Sequence, residues 1–352
     1  MKATLCIDEA VGEHRRALLD PFGKPFRLEI ERWSERGSRA KLDETWWGRV
    51  TARMPGGGWF VDLGLEQQGV IEPSKARAIV EGAILPLRVK SEAWSGKGPV
   101  LSLADMSPGV PRPDTPGRHA APSDDPFLRG VEVIATLREQ PARSQVEAAI
   151  EEATQRVAPI DGGGDLAIDT ARALTAIDVD AGSRTGAGDM DAFRLDLNLA
   201  AAEEAARQIS LRGIGGLVAI DFLGMQQRRH QKDVAAAFRG ALAGWLGRSS
   251  QILEISELGV CEAAIARRAR PVRDAIRTSP EEREALDTLR ELESAGWAAR
   301  GSRIRALISA AAKAWLDARP DLTKALDDRI GARWAVEAED RPPGKSKVWS
   351  TS

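Results

Sequence analysis

The sequence predicts an α+β protein of several domains. Three features carry that expectation: a run of short strands over residues 44–103, a proline-rich stretch over 107–126, and a strand, a long helix and a second strand over 174–222. A chain of 352 residues suits two or three domains, and 43% hydrophobic content supports real cores. The expected division is an N-terminal strand unit (1–36), an OB-type barrel inserted after it (37–106), a linker (107–126), a larger α/β unit (127–275), a small C-terminal α/β domain (276–340) and a disordered tail (341–352).

Residues 3–7 and 26–30 alternate apolar and polar, with a turn over 20–23 between them, which reads as a small antiparallel unit. Short strands follow at 46–54, 59–63, 69–72, 85–90 and 100–103, punctuated by Pro55-Gly56-Gly57-Gly58 and Ser95-Gly96-Lys97-Gly98. Five such strands fit a closed OB-type barrel, which holds single-stranded nucleic acid through aromatic and basic side chains on one face. Trp47, Phe60 and Lys97 are the candidates. Phe60 is equally readable as core, but Trp59 and Phe60 are adjacent on one strand, so at least one of them faces outward. Beyond the barrel, Pro108, Pro111, Pro113, Pro116, Pro122 and Pro126 exclude a regular helix or a central strand. Val146, Ile150, Ala153 and Val157 then recur at helical spacing.

Two apolar runs end in acid: Leu174-Thr175-Ala176-Ile177-Asp178-Val179-Asp180 and Gly215-Gly216-Leu217-Val218-Ala219-Ile220-Asp221. Asp178 and Asp180 are two apart, so on a strand they share a face. The helix expected over 191–211 gives the layout of a parallel crossover, which sets Asp221 beside them. Clustered carboxylates repel unless a cation sits among them, and an oxygen-only set suits magnesium. An acid after an apolar strand is equally a turn or a helix cap, and spacing leaves both readings open. The acids are flanked by a turn at 161–165, a hairpin of 166–169 with 174–180, and a glycine-rich loop over 182–188.

Cys6 and Cys261 are the only cysteines and His14, His119 and His230 the only histidines, which excludes a disulfide framework, a cysteine-rich zinc site and a multi-histidine site. No stretch reaches the apolar length of a membrane span and no signal-peptide layout opens the chain, so the expected location is the cytoplasm. The net charge of −2 gives no global nucleic-acid signature. The local clusters Arg228-Arg229-His230 and Arg267-Arg268-Ala269-Arg270 read either as solvated faces or as phosphate contacts. Toward the C-terminus, Ser279-Pro280-Glu281-Glu282 is a helix start, followed by a helix to about 294, a strand at 304–308, helices at 310–318 and 322–330, and a strand at 333–337.

These residues resemble the bacterial ribonuclease E/G family. The resemblance is carried by Ser144-Gln145-Val146-Glu147, by Ala171-Arg172-Ala173-Leu174-Thr175-Ala176-Ile177-Asp178, and above all by the segment from Ala206-Arg207-Gln208 through Arg212-Gly213-Ile214-Gly215-Gly216-Leu217-Val218-Ala219-Ile220-Asp221-Phe222-Leu223-Gly224-Met225. Residues 255–262 and Trp59-Phe60-Val61-Asp62-Leu63-Gly64 extend it. The resemblance implies a DNase I-like catalytic domain over 127–275 in which Asp178 and Asp221 bind magnesium, with manganese as a substitute. It implies RNA contacts at Phe60 and Lys97, and Arg184 and Arg268 are added as phosphate contacts.

Four departures accompany it. Asp180, expected as a direct or outer-shell ligand of the same ion, stands where the family has asparagine, and Val70 where it has a second aromatic residue. The interval that holds the family's 5′-monophosphate sensor is mostly linker and one helix, and no Cys-x-x-Cys zinc link follows Arg270. The expected activity is therefore magnesium-dependent endonucleolytic cleavage of single-stranded RNA, in RNA processing or decay, without 5′-end sensing, zinc or a zinc-linked dimer. The alternatives are a catalytically weak or inactive RNA-binding homologue, motivated by Asp180 and the missing segments, and a DNA-directed nuclease or phosphatase using the same acids.

Overall fold

Strands β1 (Lys2–Ala10), β2 (Glu13–Leu19) and β3 (Pro25–Arg32) form an antiparallel meander with both faces apolar. Cys6, Ala17, Leu19, Leu28 and Ile30 face one way, and Ala3, Leu5, Leu18 and Phe26 the other. The computed structural model describes every residue except 74–78, 107–108, 183–188, 248–249, 300 and 352.

The barrel follows, with β4 (Thr45–Arg53), β5 (Trp59–Asp62), β6 (Gly69–Ile71), β7 (Ile84–Ser91) and β8 (Val100–Leu103) in the order β5-β6-β8-β7-β4, closed by pairing of β5 with β4. Trp46, Val61, Leu63, Ile71, Leu87, Val89 and Leu101 fill it. Gly48 is required by this filling, since a Cβ there would lie 2.5 Å from Val61 and 2.7 Å from Leu87. The proline-rich stretch is more than a linker, because β9 (Gly117–Ala120) adds a sixth strand at the edge, against β4. This strand covers Trp47, which is buried with its ring edge-on to His119. Trp47 is therefore unavailable for stacking, contrary to expectation.

After the linker, β10 (Glu132–Arg138) pairs in parallel with β1, and α1 (Glu139–Thr154) lays Ala142, Val146, Ala149 and Ala153 across the sheet. Residues 132–154, expected in the larger unit, thus complete the N-terminal sheet. The barrel is an insertion between two strands of that layer.

The next unit is a six-stranded sheet of β11 (Val157–Pro159), β12 (Asp165–Thr170), β13 (Leu174–Asp180), β14 (Gly216–Asp221), β15 (Gln251–Ile252) and β16 (Val260–Ile265), ordered β11-β12-β13-β14-β16-β15. Helices α2 (Met190–Arg212) and α3 (Arg228–Leu246) cover one face. Ile168, Ile177, Val179, Val218, Ile220 and Cys261 pack there against Leu197, Ala201, Ala205, Ile209, Val234 and Phe238. The opposite face leaves Val157 50%, Leu174 38% and Leu217 58% exposed, so it is open.

A short helix α4 (Val272–Ala275) leads to the C-terminal layer: α5 (Pro280–Ala298), β17 (Arg303–Ser309), α6 (Ala310–Asp317), α7 (Pro320–Ile330), β18 (Trp334–Glu339) and β19 (Lys347–Thr351). The Ser279 hydroxyl caps α5 by accepting from the Glu282 amide, as the sequence predicts. The tail expected to be disordered instead supplies β19, which pairs antiparallel with β17. Its Val348 packs on the C-terminal core, and the Ser346 hydroxyl donates to Glu291 at 3.0 Å.

Buried charge joins the layers. Arg143, 1% exposed on α1, donates to Asp8 of β1 at 3.1 Å and to Glu293 of α5 at 2.5 Å. Arg15 and Arg329 share the same two acids. Arg207 of α2 donates to Glu152 of α1 at 2.5 Å and to the Pro25 carbonyl at 2.5 Å. Arg270 makes a two-pronged pair with Glu35 at 2.7 and 2.9 Å.

Replacing Arg143 with Ala leaves two buried carboxylates short of a partner, so urea unfolding should show a loss of about 3 kcal/mol. The Glu35 pair gives a pH signature. Burial alone would raise this carboxyl, but the hydrogen bonds and charge of Arg270 outweigh it and hold it below its usual 4.5. A depressed carboxyl stabilises the fold above its unfolded value and loses that contribution as pH falls through the lowered one. Thermal melts should therefore show a gap between wild type and Glu35→Gln at neutral pH that closes at pH values below 4.5.

Candidate active site

The open face of the six-stranded sheet collects the acids. Thr175, Ile177 and Val179 are buried toward the helices, so the alternating residues Ala176, Asp178 and Asp180 of β13 point to the open side. The crossover through α2 makes β13 and β14 parallel neighbours, and their register places Asp178 directly opposite Asp221. Adjacent strands lie about 4.8 Å apart, so the two carboxylates project side by side. Both are exposed, and among the described residues neither accepts a hydrogen bond nor meets a cation. Asp180 sits two residues further along the same face, with its Oδ1 accepting from the Gly182 amide at 2.8 Å.

A fourth acid joins them, and sequence reasoning missed it. Asp165 of β12, read as part of a turn, pairs in register with Asp180. Like charges directly opposite on a sheet destabilise it. A second missed residue is Asn198 of α2, fully buried, whose side-chain amide donates to the Leu223 carbonyl at 2.8 Å and accepts from the Leu223 amide at 3.0 Å. It clamps the chain just after Asp221, and no local pattern marks it within an alanine-rich helix.

Among the described residues, no three His, Cys, Asp or Glu side chains are grouped closely enough to enclose an ion on their own. The donors present are two in-register, solvent-facing carboxylates. That set fits a magnesium-type ion, which keeps water and phosphate in most of its shell, and does not fit a closed calcium or zinc cage. The cysteines take no part. Burial pushes both thiols up to about 11, so neither is a thiolate at neutral pH.

The other predicted residues divide. Trp59 packs on the barrel core, so Phe60 is the outward member of the pair, half-buried and opposite Val70. Lys97 is exposed, with its ammonium 4.9 Å from the centre of the Trp94 ring. Arg184 lies outside the described residues. Arg268 follows β16 at the sheet end away from the acids, where its carbonyl accepts from the Glu92 amide at 2.7 Å. Arg228 and Arg229 open α3 as a solvated face, and Arg229 faces Asp233 at 3.9 Å.

A cleft of about 750 Å³ lies where the barrel tip meets that same sheet end. Trp94, Lys97, Arg172, Leu174, Arg267 and Arg273 line it. Leu174 is four residues before Asp178 on β13, so about 13 Å of open strand separates cleft and acids.

Comparison with known proteins converges on this unit. Residues 125–268 match the Ribonuclease E/G family. Over 118 residues the chain is 44% identical to Ribonuclease E of Haemophilus influenzae, covering 34% of this chain and 12% of that protein. The identity to Ribonuclease E of Escherichia coli is 42%, covering 34% and 11% respectively. Ribonuclease G of Salmonella typhimurium is 33% identical over 117 residues, 33% of this chain and 24% of its own. The matched stretch is thus a minor part of each relative's length.

Replacing Asn198 with Ala strands the amide and carbonyl of Leu223. We expect a stability loss of about 1–3 kcal/mol in thermal unfolding, with amide exchange accelerating first at residues 221–223.

Proposed function

We propose that this chain, whose residues 125–268 match the Ribonuclease E/G family, is a magnesium-dependent endoribonuclease acting on single-stranded RNA, with Asp178 and Asp221 holding the ion. The single observation that carries this reading is the in-register pair of uncompensated carboxylates on an open sheet face. Bound there, magnesium or manganese supplies Lewis acidity toward the scissile phosphate and lowers the pKa of a bound water.

The chain's own residues do the rest. Asp178 and Asp221 fix the ion from adjacent strands. Asp180 has one oxygen committed to Gly182, so its other oxygen would be open to accept from a water on the bound ion. The clamp at Asn198 keeps Asp221 in place against repulsion from its neighbours. Phe60 and Lys97 hold the strand by stacking and by backbone charge. The open face admits an extended strand where a narrow pocket would demand a mononucleotide. The products carry a 5′-phosphate and a 3′-hydroxyl, and cleavage proceeds without 5′-end sensing.

The double substitution Asp178→Ala, Asp221→Ala removes only exposed, unpartnered side chains. It should leave the melting temperature unchanged or slightly raised and reduce magnesium-dependent cleavage of an unstructured RNA by at least about 10³-fold. Cleavage at the wild-type rate would reject the assignment. One observation favours a second reading, an RNA-binding homologue of low activity: Asp165 opposite Asp180 gathers more negative charge beside a phosphate substrate than two ligands require. RNA binding with no cleavage in either magnesium or manganese would select that reading.

A further inference from the structure

The cleft at the barrel tip carries more positive charge than its own protein contacts use. Lys97, Arg172 and Arg267 line it, and among the described residues none of the three meets a carboxylate. Its other charged groups are committed. Arg273 lies 4.0 Å from Asp274, Arg156 pairs with Asp169 at 2.6 Å, and Arg212 donates to the Gln155 carbonyl at 2.7 Å. Asp274 is the acid of the lining, and it accepts from the Ser95 amide and hydroxyl at 3.0 Å. Three unpaired cations therefore converge on one concavity in a chain whose net charge is −2.

The cleft is also built. The guanidinium of Arg267 lies 4.2 Å from the centre of the Trp94 ring, beside the Lys97 ammonium at 4.9 Å. Its stem lies over the bare backbone of Gly215 and Gly216. A Cβ on Gly215 would come within 2.6 Å of Arg267 Cγ, and one on Gly216 would overlap the guanidinium itself. The bare glycine backbone and the Trp94 ring thus leave room for Arg267 and give it a surface to lie on at the cleft.

The geometry points to a continuation of the RNA path from Lys97 into this cleft: Arg172 and Arg267 take the phosphodiester backbone of a single strand whose scissile bond lies at Asp178 and Asp221. The ligand class follows from the charge and from the path. The open face between the two places presents the exposed Leu174 and Leu217, flat apolar surface for bases, over about 13 Å. The inference rests on the ribonuclease reading for the identity of the strand. It goes beyond that reading by assigning Arg172, Arg267 and the glycine pair, and by fixing the direction in which the RNA leaves the acids.

Fluorescence anisotropy of a labelled unstructured RNA oligonucleotide, with the full chain in EDTA, measures binding without cleavage. Arg172→Gln with Arg267→Gln should weaken binding at least about tenfold. It should also flatten the slope of log K against log salt by about 1.4, or about 0.7 per lost single-strand phosphate contact. Arg172→Gln alone changes an exposed side chain and guards against misfolding of the double variant; it should flatten the slope by about 0.7. Wild-type binding with an unchanged affinity and slope in both variants overturns the cleft and leaves the ribonuclease reading standing. A wild-type chain that neither binds nor cleaves the RNA overturns both.

Discussion

The candidate site depends on one register. The parallel pairing of β13 with β14 sets Asp178 opposite Asp221, and a slip of one residue would turn Asp221 into the hydrophobic layer. What forbids the slip is the other face. Ile177, Val179, Val218 and Ile220 are fully packed on α2 and α3, and an aspartate among them would be a buried, unpaired charge. The open acidic face is thus fixed by residues packed on the opposite side of the sheet. The clamp from Asn198 secures the same register at the strand end, where packing gives way to loop.

Around that sheet, arginines bridge the layers alongside apolar contacts such as Leu211, Val272 and Ala275 against the N-terminal sheet. Arg143, Arg207 and Arg270 each bridge segments far apart in the chain, and each uses several of its donors in a fixed geometry. Planar, always-charged guanidinium groups suit such buried bridging better than lysine. Arg270 thereby ties the segment after β16 to Glu35 and the Ile30 carbonyl, and that same segment lines the cleft together with the barrel tip and the end of the six-stranded sheet.

Much of this was legible in the residues. Alternation and turn signals placed the barrel strands, and the spacing of the two acidic runs with a long helix between them gave the crossover. The adjacency of Trp59 and Phe60 required an outward aromatic, and the fold supplies Phe60. What was not legible came from pairing between distant segments. Nothing near residues 132–138 reveals that they join β1, because the complementary edge lies about 130 residues away. Trp47 was misread because its cover, the edge strand at 117–120, sits in a proline-rich stretch that reads as linker. The tail was misread for a similar reason: a short polar strand forms only because β17 offers a free edge. Arg267 and Trp94 were invisible as a pair, since one belongs to the barrel and the other follows β16.

The insertion of the barrel between β3 and β10 has a consequence for how the chain reaches this structure. The first sheet needs a strand that is separated from it by the whole barrel and linker. If the intervening residues were unstructured, closing so long a loop would be entropically expensive. A folded barrel in that interval shortens the effective span to the distance between its ends. The barrel therefore acts as a splint: with Thr45 and Ala120 paired across its edge, it lowers the loop-closure cost of bringing residues 132–138 to β1.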